Sequence, residues 1–507
     1  MNKLALVIFT FLLMLVASAA LAQAAMPASD GVFVLPEGYH IELVTEGLTY
    51  PTGLTWDDDG TMYVAEAGGG LNPEQITDSR ILRIQEGQNE VVAVLTPHVM
   101  AAVIGLVWHD GAFYITHRDK SDLSGAVSRV SADGEDVTTI LSGIMDSQSE
   151  HQVNDLRVGP DGRMYLATGP AGNSGVMGPD LAPWIMKSPD LHTVPCEDIT
   201  LVGRNFQTPD FRPNAPEETT MTGAYVPFGT ATEPGQVIAG VTKCGGAILT
   251  FDPNDAEGTL EVHAWGFRNL IGLAWNPESG ELYAGENGYD VRGARPVLDE
   301  MDVSLRIEAG TWYGFPDFSA NREPLSDEKF EVPDEHQAMV FLGQEELGKD
   351  LDFVIDHEAS GLTPPDSSVV LGRHPFNSSP SMLDVAPESW GDWAGHVFVA
   401  EWGDLTPPTN PLRGPEPAGF RVVRIDPETG ALEPFVSNEQ PGPASLQDPF
   451  GMGIERPFNV RFGPDGAMYI VDYGVVTINM ALTQQGKPPY VYQMGTGSIW
   501  KVTRTGQ

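Results

Sequence analysis

The stretch VNDLRVGPDGRMYLATGP, residues 153–170, decides the fold. It runs from an alternating apolar segment through an Asp-Gly turn to an apolar-aromatic-apolar triplet, and it recurs along the chain. Copies stand at PTGLTWDDDGTMYVAEAG (51–68), VIGLVWHDGAFYITHRD (103–119), NLIGLAWNPESGELYAGENG (269–288), SMLDVAPESWGDWAGHVFVAEWGD (381–404) and FNVRFGPDGAMYIVDYG (458–474). Alternation marks a strand with one buried face, and Asp-Gly supplies the positive φ angles of a hairpin turn. Short apolar runs follow the copies: RILRI (80–84), AVSRVSADG (126–134), GAILTFDPND (246–255), FRVVRIDPETG (420–430) and GSIWKVTRTG (497–506). Sheets of about four strands, repeated at intervals of roughly 50 residues, are the signature of a β-propeller. Six copies predict an all-β, six-bladed propeller. A sandwich or two separate all-β domains would not need the same hairpin six times.

Two regions break the period, at about 171–243 and 316–379. Both are rich in Pro, Gly and aromatic residues, as in SGVMGPDLAPW (174–184) and the segment PDFSANREPL (316–325). Insertions of this length in a compact domain usually cover a functional surface. They are expected to roof one face of the disc.

The chain begins with MNKLALVIFTFLLMLVASAALAQA, in which Lys3, an apolar run, and Ala20 and Ala22 around Leu21 read as a signal peptide over residues 1–22. The mature propeller is expected over 23–507, in the periplasm or secreted, with no membrane span after cleavage. The two cysteines, Cys196 and Cys244, are then expected to form a disulfide within the first insertion. With 28 Lys and Arg against 70 Asp and Glu, the net charge is −42. That field repels phosphate backbones, so no nucleic-acid partner is expected, and it suits a salt-rich or divalent-rich medium. The sequence holds no Gly-x-Gly-x-x-Gly after a strand, no phosphate-binding Gly-Lys-Ser/Thr loop and no His-Glu-x-x-His.

Aligning the six copies places Glu66, His117, Thr168, Glu286, Glu401 and Asp472 at one equivalent position, just after the triplet. Two readings follow. These are hydrogen-bonded strand ends, or their four carboxylates converge on the channel and hold a cation such as Ca²⁺. His151 stands just ahead of an inner strand, where it can take a hydroxyl proton near neutral pH. Arg268 and Asn269, in WGFRNLIGL, occupy the corresponding place in the fourth copy, where an Arg can stabilise an oxyanion or an anionic cofactor.

Four segments carry a family resemblance: HQVNDLRVGPDGRMYLATG, WGFRNLIGLAWNPESGELYAGENG, GTWYGFPDF (310–318) and RPFNVRFGPDGAMYIVDYG with GSIWKV. From about residue 31 to its end, the chain resembles the soluble glucose/sorbosone dehydrogenases. These are exported six-bladed propellers that oxidise aldoses or related sugars with pyrroloquinoline quinone (PQQ) held by Ca²⁺. The resemblance implies His151 as the catalytic base, with hydride passing to the quinone, and Arg268 as the arginine at the quinone oxygen. It implies Asn269 and Arg456 as further cofactor contacts, and the backbone carbonyls of Gly288 and Tyr289 as ligands of Ca²⁺. The partner is then a small sugar, and the electron acceptor is unknown.

The chain departs from that family at several positions. Pro170 replaces the acid that orients the base, Ile271 a glutamine, Gly403 a lysine and Phe458 a second arginine. DVSL (302–305) and YDVRGARP (289–296) also differ from the family pattern. These losses keep two alternatives alongside the quinoprotein: a noncatalytic carbohydrate- or Ca²⁺-binding propeller, and a metal-dependent, lactonase-like hydrolase using axial carboxylates.

Overall fold

Each copy of the repeat folds as an antiparallel hairpin, and in three of the six a side-chain bond ties the turn to the triplet. Tyr63 Oη donates to Asp57 at 3.0 Å, Tyr165 Oη to Asp161 at 3.0 Å and Tyr469 Oη to Asp465 at 2.9 Å. The aromatic residue of the triplet thus anchors an aspartate of its own turn. The turn glycines Gly60, Gly162 and Gly466 have φ of 80°, 79° and 75°, a region that residues with a Cβ rarely enter.

The computed structural model describes residues 32–505 apart from 71–75, 86, 299, 334–335, 337–350, 448–452 and 486. The expected signal segment lies outside these residues. The six hairpins begin blades 1 to 6, with first strands Pro51–Trp56, Leu106–His109, Val153–Val158, Asn269–Trp275, Pro380–Val385 and Pro457–Phe462. Each first strand lies beside the next, and the sixth lies beside the first, so the sheets form a closed ring. The five short apolar runs noted above are all third strands: Arg80–Gln85, Gly125–Ser131, Ala247–Phe251, Arg421–Ile425 and Gly497–Arg504. Blade 6 takes its outermost strand, Tyr39–Leu48, from the start of the described chain, and Phe33–Val34 adds a fifth strand to blade 5. The ring is therefore fastened by pairing the two ends of the chain. The protein is a six-bladed β-propeller.

Neighbouring first strands approach closely because glycine stands at the contacts. A Cβ on Gly272 would lie 2.5 Å from Met382 Cα, and one on Gly53 would lie 2.5 Å from Leu106 Cβ. Side chains of the first strands link one blade to another. Arg461 of blade 6 pairs with Asp155 of blade 3, and Arg157 Nε donates to the Leu273 carbonyl at 2.8 Å.

Two connections are long. The link between the second and third strands of blade 3, 169–246, carries the pairs Asn205–Pro209 with Thr219–Gly223 and Ile199–Thr200 with Val237–Ile238. It also carries the Cys196–Cys244 disulfide. The link between the third and fourth strands of blade 4, 308–369, first runs beside blade 3, where Tyr313 N donates to the Trp265 carbonyl at 2.7 Å. It then meets the other insertion at Leu201 and Ile355.

Candidate active site

His151 lies in the link from blade 2 to blade 3, two residues before the first strand of blade 3. Its ring is buried, and Nδ1 is 2.9 Å from the carbonyl of Pro170. A carbonyl can only accept, so Nδ1 carries the proton and Nε2 keeps its lone pair. Pro170 replaces the family's orienting acid by residue type, yet its backbone oxygen holds the imidazole in place. Burial, then the charges of Arg268 and Arg292, lower the pKa of His151 well below its ordinary value, so the ring is neutral at pH 7. Nε2 is 3.6 Å from Glu150 Oε1.

Arg268 immediately precedes the first strand of blade 4, Asn269 opens it, and both come to the same place. A Cβ on Gly169 would lie 2.6 Å from His151 Cβ and 2.5 Å from Asn269 Oδ1, so those two residues flank one glycine. Arg268 Nη2 donates to Asp290 Oδ2 at 2.9 Å and to Asn173 Oδ1 at 3.2 Å, while its buried Nε has no hydrogen-bond partner among the described residues. Asp290 Oδ2 also accepts from Arg292 Nε at 2.9 Å, and Arg292 continues to Asp180 at 2.6 Å and to Glu150. A chain of alternating charges therefore joins His151 to Arg268 through Glu150, Arg292 and Asp290. Burial pushes Asp180 up to about 6 despite the opposing pull of Arg292. Glu150, Asn173, Asp180 and Asp290 were not expected from the sequence. The alternation of Asp and Arg in YDVRGARP was the only visible sign of them.

The other expected positions lie in different settings. Gly288 N donates to Asp302 Oδ1 at 2.8 Å, and the Tyr289 ring stacks on Phe315 with its hydroxyl donating to the Phe318 carbonyl. Among the described residues, no group of three or more His, Cys, Asp or Glu side chains is placed to hold a metal. Arg456 gives Nη1 to the carbonyls of Gly403 and Asp404, each at 3.1 Å, and lies over the rings of Trp402 and Phe420. Burial lowers its pKa to about 10. Phe458 packs against Tyr473 in an aromatic cluster.

The convergence of carboxylates on the axis is corrected by the structure. Glu66, Glu401 and Asp472 end second strands and Glu286 is the last residue but one of its own, so all four lie one strand away from the axis, and each is bonded nearby. Glu66, Glu286 and Asp472 accept the backbone N–H of Thr49, Arg268 and Glu455 respectively, at 2.6–2.7 Å. Glu66 also pairs with Arg80, Glu286 with Arg322, and Glu401 with both Arg421 and His374. His117 and Thr168 are likewise bonded, to Ser128 and to the Ala247 carbonyl. This position fastens the loop ahead of a blade to that blade and gathers no ligand set. A cleft of about 730 Å³, lined in part by Asn276, Glu278, Glu388 and Asp465, opens at the opposite end of the inner strands from His151.

Residues 27–183 match a family model described as a domain of unknown function (DUF7133), and residues 241–340 match one described as Glucose / Sorbosone dehydrogenase. No curated protein matches the chain. Among solved structures, the holo form of the pyranose dehydrogenase PQQ domain from Coprinopsis cinerea is 14% identical with a TM-score of 0.54, covering 94% of this chain and 98% of that one. The calcium structure of a Trichoderma reesei carbohydrate-active enzyme of family AA12 is 14% identical with a TM-score of 0.52, covering 95% and 100%. The PQQ-bound aldose sugar dehydrogenase from Streptomyces coelicolor is 16% identical with a TM-score of 0.48, covering 92% and 99%. The first two share this chain's fold. The protein is thus a six-bladed propeller whose residues 241–340, which include Arg268, Asn269, Asp290 and Arg292, match the glucose/sorbosone dehydrogenase family.

Proposed function

We propose that the protein is an exported oxidoreductase acting on an aldose or related sugar, with His151 as the base that takes the proton of the reacting hydroxyl. The observation that supports this reading is the meeting of His151 and Arg268, from blades 3 and 4, in one buried charged cluster. A neutral imidazole pinned at Nδ1 offers Nε2 to a hydroxyl, and Glu150 beside it stabilises the imidazolium that forms. The unpartnered Nε–H of Arg268 is a donor for negative charge developing on an oxygen. Export agrees with the Cys196–Cys244 disulfide, which persists in an oxidising compartment.

PQQ with Ca²⁺ is the redox group that the resemblance implies, and it would accept the hydride. His151, Arg268 and Asn269 suit its quinone end. Its three carboxylates are not suited. Arg268 and Arg292 are already matched by Asp290, Glu150 and Asp180, Arg456 is engaged by carbonyls, and Gly403 and Phe458 bring no charge. As arranged, the residues do not fit the cofactor, and no step is derived through it. The same neutralised arginines favour a second reading, a propeller that binds a neutral carbohydrate without turnover. The hydrolase reading loses its basis, because the carboxylates it required fasten loops to their own blades.

The test follows dye reduction by the purified protein with a panel of aldoses, as isolated and after addition of Ca²⁺ and PQQ. Sugar-dependent reduction that falls at least about a hundredfold in His151→Ala supports the oxidoreductase. Saturable sugar binding by calorimetry with no reduction supports the binding propeller instead.

A further inference from the structure

Asp290 lies in the link between the second and third strands of blade 4, and its carboxylate sits between two guanidinium groups. Oδ2 bridges Arg268 Nη2 and Arg292 Nε, each at 2.9 Å, and Oδ1 is 3.4 Å from Asn377 Nδ2. The main chain holds the residue in that position. Its N–H donates to Asn173 Oδ1 at 2.8 Å, and its carbonyl accepts from Asn173 Nδ2 at 2.9 Å and from Val297 N at 3.2 Å. The residue is buried. An oxygen between two guanidinium groups is the arrangement with which proteins capture carboxylates and phosphates. Here the anion belongs to the chain itself.

The surrounding charges sharpen the point. Arg268 and Arg292 face Asp290, Glu150 and Asp180, so acids outnumber cations around the two arginines. An incoming anion must displace Asp290 or lie beside it against like-charge repulsion, whereas a neutral hydroxyl-bearing ligand meets neither obstacle.

We propose that Asp290 is a built-in counter-anion and the specificity-determining residue of this site: it competes with anionic ligands for Arg268 and Arg292 and leaves the His151 face selective for neutral, polyhydroxylated ones. The inference rests on the reading of this face as a sugar site, and its test does not depend on turnover.

Asp290→Asn removes the charge and keeps the side-chain shape and the main-chain bonds to Asn173. Wild type and variant are titrated by calorimetry with citrate, a plain tricarboxylate, and by absorbance with PQQ in the presence of Ca²⁺. The expected result is citrate affinity at least about tenfold higher in Asp290→Asn, with the same direction for the quinone. Equal or weaker citrate affinity in the folded variant overturns the proposal. Asp290→Ser and Asp290→Ala, run in parallel with melting curves as the check on folding, give the same reading if the amide variant is misfolded. A gain for citrate with no quinone uptake by either protein retains the counter-anion and removes the quinone from the proposed function.

Discussion

Arg461 Nη2 lies 3.1 and 2.9 Å from the two carboxylate oxygens of Asp155, joining blade 6 to blade 3 across the axis of the ring. Both groups are buried, and Asp155 also accepts the N–H of Leu273 in blade 4. Arg461→Met should cost about 3 kcal/mol, because it leaves the buried Asp155 carboxylate facing only the more distant guanidinium of Arg157, at 3.5 Å, among the described cations. Asp155→Asn combined with Arg461→Met should recover a good part of that loss. Guanidinium denaturation of Arg461→Met, Asp155→Asn and the double variant against wild type checks both statements, and an additive double variant would contradict them.

The Tyr–Asp bonds within the hairpins carry a second expectation. Asp161 accepts from Tyr165 Oη at 3.0 Å and from Arg163 N at 3.1 Å. Asp161→Ala should destabilise by about 1–2 kcal/mol, and Tyr165→Phe by less, since the hydroxyl makes only one of those bonds. The order of the two melting temperatures is the readout.

Stability against pH follows from Glu300. Burial, with Glu286 and Asp302 as like-charged neighbours, pushes it up to about 8, although the Ala320 N–H and Arg322 pull the other way. The folded protein thus keeps a proton that the unfolded chain releases near pH 4.5. The stability tied to that proton is complete below about 4.5 and is lost as pH rises through 8. Glu300→Gln has nothing to lose in that window. Its melting temperature relative to wild type should rise between pH 5 and pH 9 by about a few degrees, and a pH-independent difference would contradict the assignment.

The Cys196–Cys244 bond closes a loop of 48 residues in the blade 3 insertion. Replacing both cysteines with serine should lower stability by up to about 4 kcal/mol. Unfolding with and without reductant measures it.

The ring was legible because its unit is local. Turn, triplet and alternation all lie within about eighteen residues, so six hairpins and five third strands could be read directly. The fourth strands were harder to see. Gln88–Val94, for example, is largely exposed and carries little apolar signal. His151 and Arg268 could be placed together because each precedes a first strand, and a ring brings such positions to one face. Glu150, Asp180 and Asp290 were not legible, since they meet Arg292 from different links and no sequence period relates them. The equivalent acidic position misled for a related reason. Equivalence in the repeat fixed Glu66, Glu286 and Asp472 to second strands, where each reaches the backbone leading into its own blade before it can reach the axis.

The account turns on His151 and Arg268 acting as one site on a sugar. The most direct measurement is the initial rate of aldose-dependent dye reduction by wild type and by His151→Gln of matched melting temperature, each as isolated and again with PQQ and Ca²⁺ added. A loss of at least about a hundredfold, with the variant still binding sugar, is the predicted result. Reduction by His151→Gln at the wild-type rate would contradict it.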